Sequence, residues 1–461
     1  MKKAIMWIVM SLAAACVSAQ TFTAGGITYS VLADSPDKCE VTWPDKGSYQ
    51  GDMAVPAQVD WQGVTYRVAG VGEYAFAGSV ALRSVSLPSG IAYMGRNAFQ
   101  GCTALESFAM PPSVREIEEQ TFYGCTSLKN FATSSATSIG AGAFALCTNL
   151  KIVYFGSDLA YVGDGAFKGC RALTTVTFPK PTVLGSGVFE SCTALETATL
   201  PAELEVLPEY TFSGCTGLKA VRGTSILREI GEHAFYSCDA LESIIFGNRL
   251  SSIGRSAFGL CSSLDVRTIS GDDLTIAEYA FSDCTGITEL ELNGVVEIGE
   301  QCFVNVSALT KLTLGASLKT IRESAFRGCG NIKTVTSLSP LPPFMQRYSF
   351  DEDVYKSALL QVAFGASLLY RQTPPWSYFV HVGELPEAAV EAVMAEGAQF
   401  FTIDGRVLTV SGVDGPVGVY AADGRRIFEG DISGDSVTVT LPETGIYIVR
   451  VRGKAEKLMA R

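Results

Sequence analysis

Ten cysteines of this chain share one setting. Cys102, Cys125, Cys147, Cys170, Cys192, Cys215, Cys238, Cys261, Cys284 and Cys329 each stand three residues after a phenylalanine. A thiol in a recurring motif is a candidate metal ligand, disulfide half or nucleophile. Zinc needs four ligands in a tetrahedron, which a one-dimensional file of thiols does not supply. Ser79 and Val306 occupy the same slot elsewhere, and valine can replace a buried plug but not a ligand. Disulfides between successive thiols would have acceptable Cα separations. In-register side chains, however, point their Cβ vectors side by side rather than toward each other. The expectation is a file of free, buried thiols acting as small hydrophobes, a test of interest in a chain bound for an oxidising compartment.

Other chemistry is sparse. The two histidines, His233 in "GEHAF" and His381 in "FVHVG", have neighbours without metal-binding spacing and read as surface or boundary residues. Asp351-Glu352-Asp353 lacks the spacing of a calcium loop and reads as a solvated loop. No G-x-S-x-G, P-loop or dinucleotide fingerprint is present. Acidic residues are plentiful, but nothing in their order places a pair across a cleft. An enzyme, a cofactor and a metal site are therefore not expected.

The elements that hold the thiols are repeats. The associated phenylalanines are Phe76, Phe99, Phe122, Phe144, Phe167, Phe189, Phe212, Phe235, Phe258, Phe281, Phe303 and Phe326, at intervals of 22 or 23 residues. The unit reads I-G-x-x-A-F-x-G-C-x-x-L-x-x-V-x-L-P, with a later apolar pair ending in Ile before the next Gly. Residues 230–253, "IGEHAFYSCDALESIIFGNRLSSI", are one full copy. L-x-x-V-x-L alternates as a short strand does, and no unit this short buries its apolar face alone. Stacked at ~4.7–4.9 Å per strand, twelve units predict a curved rod on the order of 55 Å long. The expected fold is an α/β-type repeat solenoid over 70–336, a leucine-rich repeat with about twelve 22–23-residue units.

The A-F-x-G-C-x-x-L and L-P-x-x-V-x-x-I elements resemble the BspA-like, or Treponema-type, leucine-rich repeats of bacterial surface proteins. That resemblance covers about residues 70 to 336. It implies exported proteins that bind host or microbial surface molecules without enzymatic activity.

The ends frame the rod. "MKKAIMWIVMSLAAACVSAQ" has a charged end, an apolar run and a small-residue site before Gln20, and reads as a signal peptide over 1–19. Its rival reading makes Cys16 a lipidated cysteine. The formal net charge is −12; loss of a leader with two lysines and no acid would take it to −14. Such a balance argues against nucleic acid or anionic membranes as partners. No later apolar run reaches the ~18–20 residues that span a bilayer. Residues 20–69 alternate as a β cap would, and 337–383, with Tyr370, Trp376 and Phe379, read as the closing cap. A linker is expected over 384–398, then a small β-sandwich over 399–461 with D-G turns. "VYAADGRRI" and "GIYIVRVRGKAEKLMAR" in that module resemble the C-terminal sorting domain of the type IX secretion system. Leu441-Pro442-Glu443-Thr444-Gly445 spells a sortase motif, but no membrane helix follows it, so wall anchoring is rejected.

Function then falls to the outward side of the strands. Ile152, Tyr154, Arg222, Ile245, Val266, Glu289, Glu291 and Lys311 fall at outward positions and are the candidate ligand-binding residues. Exposed apolar residues among polar ones mark interfaces, with Tyr and Arg as favoured anchors. A glycan would want several stacking aromatics, and this face offers Tyr154 alone. A protein ligand is therefore preferred; a carbohydrate-binding module and a passive envelope protein are the alternatives.

Overall fold

A computed structural model of the chain describes residues 20–44, 47–133, 135–179, 181–386 and, further on, 401–404, 406–411, 415–421, 425–432, 436–442, 445–451 and 454–460. The leader, Cys16 and most of the 384–398 segment lie outside the described residues. The chain divides into two compact units: the repeats lie in the first, which comprises residues through Val362 and Ala366–Gly383, and the second comprises Ala363–Gly365 and Glu384–Arg461.

The repeat unit is a β-solenoid of about 14 turns with little helix. Each repeat contributes a strand to one or both of two parallel ladders. The first is built from L-x-x-V-x segments. Asn130–Ala132, Ile152–Tyr154, Thr175–Thr177, Thr197–Thr199 and Ala220–Arg222 form one sheet in that order. Their central residues Phe131, Val153, Val176, Ala198 and Val221 are buried, because alternation on a strand sends every second side chain inward. The second ladder uses the two-residue strands that end in a buried apolar residue, Glu116–Ile117, Ser138–Ile139, Tyr161–Val162 and Val183–Leu184. The longer strands Thr268–Ile276 and Glu289–Ile298 run through both ladders and join them into one sheet.

Between the ladders the phenylalanines form a file. Successive rings stack at 4.9–5.7 Å between centroids and within 15° of parallel, from Phe76 to Phe326. The file runs past the twelfth repeat, since Phe350 stacks on Phe326 at 5.0 Å. The strands Thr334–Ser337, Leu359–Val362 and His381–Glu384 likewise continue the sheet. Turns connect the strands within a repeat, with a short 3-10 helix at Thr224–Ile226. Two residues in each turn adopt a left-handed backbone, one two positions before the Phe and one two positions after. Among the left-handed glycines Gly294 (φ 67°), which lies in the strand Glu289–Ile298 and not in these turns, is held tightest: a Cβ there would lie 2.0 Å from the Gly271 carbonyl oxygen.

Both ends are closed as solenoids require. At the start, Val64–Val71 leads into the second ladder by pairing with Tyr93–Met94, and Gln50–Ala54 opens the first by pairing with Ala81–Ser86. At the other end Tyr370 and Trp376 are fully buried, and the indole Nε1 donates to the Pro343 carbonyl at 2.7 Å. Asp351-Glu352-Asp353, expected in a loop, instead begins the short helix Glu352–Ser357, where acids suit the N-terminus. The second unit is all-β. Antiparallel sheets formed by 401–404, 407–411 and 436–440, and by 415–421, 426–432, 445–451 and 454–460, share one core of residues such as Leu408, Val439, Val419 and Val449.

Candidate functional site

The thiols, first in line for chemistry, are sealed inside. All twelve described cysteines are free and buried. Each of the ten ladder thiols donates to the carbonyl of the preceding turn's Phe, at 3.1–3.2 Å, as Cys102 does to Phe76 and Cys329 to Phe303. The expected plug is therefore also a hydrogen-bond donor that ties turn to turn. Burial pushes the thiols of Cys102, Cys147, Cys215 and Cys329 up to about 12. A neighbouring backbone hydrogen bond opposes this and is outweighed. A thiol so reluctant to ionise is a poor nucleophile. Ellman's reagent should therefore label less than one thiol per folded chain and all the buried ones in urea; prompt labelling of several native thiols would refute the sealed file.

The outward side of the first ladder carries seven of the eight expected residues. Ile152, Tyr154 and Arg222 share the five-stranded sheet, and Ile152 pairs with Thr175, Thr175 with Thr197, and Thr197 with Ala220. Tyr154 follows Ala132 in the row that continues through Thr177 and Thr199 to Arg222. Ile245 lies on the next turn, attached to the sheet by the Ala220–Ser243 bridge. At about 4.8 Å per strand, Tyr154 and Ile245 stand about 19 Å apart with Arg222 between. Tyr154 is 61% exposed and Ile245 71%; Ile152 is half-buried. Glu289, Glu291 and Lys311 sit further along, where Glu289 pairs with Lys311 and Glu291 with Thr313.

Val266 is a correction: it is buried, 4% exposed. Its unit reads Leu264-Asp265-Val266-Arg267-Thr268-Ile269, with Arg267 in the slot that normally points inward. A lone guanidinium is too costly to bury, so the backbone turns Val266 in and Arg267 and Thr268 both out. The arginine in a core slot was the available signal.

Repeat alignment by strand also passes over two other exposed rows. On the second ladder, Tyr161, Val183 and Val206 face outward on successive turns at 43%, 63% and 47% exposure. On the turns, Tyr210 and His233 occupy the slot two before the Phe, with ring centroids 5.0 Å apart and planes within 4°. Tyr236 meets His233 edge-on at 5.1 Å, and the Arg255 guanidinium lies 6.0 Å from the Tyr279 ring centre. His233, expected as an ordinary surface residue, is thus held in a ring stack. Its Nδ1 lies 3.2 Å from Glu232 Oε1 without hydrogen-bond geometry. Among the described residues no group of three or more metal-ligating side chains comes together, and no helix is long and apolar enough to cross a membrane.

Residues 69–196, 182–292 and 268–352 match the BspA type leucine-rich repeat region, in six copies. No curated protein matches the chain. Among solved structures, a leucine-rich repeat protein from Bacteroides ovatus is 26% identical, with 74% of this chain and 99% of the other covered and a TM-score of 0.50. The pneumococcal vaccine antigen PcpA is 18% identical, covering 80% and 99%, with a TM-score of 0.49. A T. pallidum leucine-rich repeat protein is 26% identical, covering 53% and 91%, with a TM-score of 0.33.

Proposed function

We propose that this chain, which belongs to the BspA-type leucine-rich repeat family, is a non-catalytic binding protein of the cell surface whose first ladder engages a protein ligand. The observation that carries the reading is the row from Tyr154 to Ile245. Two large apolar side chains, 61% and 71% exposed, stand at its ends and Arg222 between them. The backbone of a hydrogen-bonded sheet is already ordered before a partner covers it, and Tyr and Arg are among the residues that most often anchor protein interfaces. Glu289, Glu291 and Lys311 continue the face as a polar rim.

Export is part of the proposal, supported by the charged, then apolar, then small-residue order of residues 1–19. The second unit is proposed as an export or attachment module, on the likeness of "VYAADGRRI" and "GIYIVRVRGKAEKLMAR" to type IX sorting domains. The boundaries at 69, 336, 383 and 398 belong to the same proposal.

The test is a binding screen of the full chain against extracellular matrix and mucosal proteins. Tyr154→Ala and Ile245→Ala should each weaken a captured partner by about 30-fold, the scale of an interface hot spot. Both are surface changes and should leave the urea midpoint within about 0.5 kcal/mol. A partner bound equally well by the double variant would sink the assignment of this face.

A further inference from the structure

The row of exposed strand residues holds one aromatic ring, whereas the turns hold a stack of them. We propose that the turn surface around Tyr210, His233 and Tyr236 is a carbohydrate-binding site that takes a pyranose ring of a neutral oligosaccharide against Tyr210. It is separate from the protein-binding face and does not depend on it.

The first argument is conformational. Tyr210 and His233 hold φ of 56° and 53°, a left-handed backbone that side chains disfavour and glycine adopts freely. The same slot on the preceding turn is Gly187, at φ 60°. The same left-handed slot holds Asn97, Gln120, Ser256, Gln301 and Ser324 on other turns, so what sets these two apart is that aromatic rings fill it on adjacent turns.

The second argument is geometric. One face of Tyr210 is covered by His233 at 5.0 Å and nearly parallel, and His233 is braced edge-on by Tyr236. The other face looks toward Gly187, which offers no side chain to cover it; a Cβ built there would come 3.8 Å from Tyr210 Cβ. The result is a fixed, half-buried ring with one side unfilled from its own column. The C–H faces of pyranoses stack on such rings, which gain from apolar contact while the hydroxyls stay available for hydrogen bonds.

The third argument is the chemistry around that face. Lys168 and Glu190 pair at 2.8 Å, and Glu190 Oε2 would lie 3.3 Å from a Cβ at Gly187. Glu209, one residue before Tyr210, accepts from the Ser186 hydroxyl at 3.3 Å. One ammonium, already paired with Glu190, and two carboxylates thus lie on this and the neighbouring turns, leaving a net negative charge with a hydroxyl beside it. An acidic sugar would be repelled by that charge, whereas neutral hydroxyls can donate to the carboxylates and accept from the ammonium.

The experiment is calorimetry of the full chain with neutral hexasaccharides: cello-, xylo-, manno-, malto- and chitohexaose. At least one should bind saturably. Tyr210→Gly should weaken that binding by at least about tenfold while leaving the urea midpoint unchanged or raised, because the slot already accepts glycine. Tyr210→Phe should retain the affinity, and Tyr154→Ala should not alter it. Absence of saturable binding to all five sugars overturns the proposal. So does affinity that survives Tyr210→Gly, or that is lost through Tyr154→Ala.

Discussion

Replacing Phe167 by alanine is expected to lower the stability of the repeat unit by about 3–5 kcal/mol, the range for deleting a fully buried aromatic side chain. Phe167 is completely buried. Its ring lies between Phe144, at 5.2 Å and 1° from parallel, and Phe189, at 5.7 Å, with Phe155 edge-on at 5.8 Å. The hydrogen-bonded ladders fix the spacing of turns, so neighbouring rings have little freedom to close the gap, and poor collapse puts a site at the upper end of that range. The position adds a second signature. In a linear array each turn is stabilised by its two neighbours, so a weakened middle turn should uncouple the halves. Urea unfolding followed by far-UV dichroism should then show two steps in place of one. Phe167→Leu, which keeps most of the volume, should cost about 1 kcal/mol and keep a single transition. A loss below about 1.5 kcal/mol for the alanine variant, with one sharp transition, would contradict the load assigned to the file.

The second large effect is alkaline unfolding. Burial raises the ladder thiols, with Cys102, Cys147, Cys215 and Cys329 at about 12 and Cys125, Cys170 and Cys192 pushed well above the usual value of 9.0. Once unfolded, these thiols ionise near their usual value. Between the two the unfolded chain has released protons that the folded chain retains, so stability is full below about pH 9 and falls as pH rises toward 12. Each buried thiol subtracts about 1.4 kcal/mol per pH unit in that window. Cys238 and Cys284 are raised in the same way, and with nine such thiols in the file the sum soon exceeds the 5–15 kcal/mol that typically separates folded from unfolded protein. Under reducing conditions the urea midpoint should be flat from pH 7 to about 8.5, and the solenoid should be unfolded by about pH 10.5. Val306 shows that the slot accepts valine. Replacing Cys147, Cys170, Cys192 and Cys215 by valine should therefore flatten the slope by about four-tenths. A midpoint that does not move between pH 8 and 10.5 would refute the mechanism.

The same thiols show how far composition and spacing carry. That they are free and buried follows from Ser79 and Val306 sharing their slot and from cysteine's apolar character. That each donates to the Phe carbonyl one turn back does not follow, because the acceptor lies 25 or 26 residues upstream and its direction is set by how the turns stack. Asp351-Glu352-Asp353 differs for a related reason. Three acids in a row suit a solvated loop or a helix start equally well, and only the chain after them, packed through Val354 and Tyr355, selects the helix.

The sequence by itself determined the period, the inward columns of Phe, Cys and Leu, and hence a solenoid closed at both ends. These follow from residue type repeated at 22 or 23 positions, since a face that recurs at every turn has to be buried by its neighbours. Tertiary structure decided which outward residues are available and what stands beside them. It sent Val266 inward because Arg267 could not be buried, left Tyr154 and Ile245 standing out from the first ladder, and brought the rings of Tyr210 and His233 within 5.0 Å. The physical reason is that inward positions answer to one local rule, burial, whereas an outward residue's exposure and partners depend on side chains one or more turns away in the sequence.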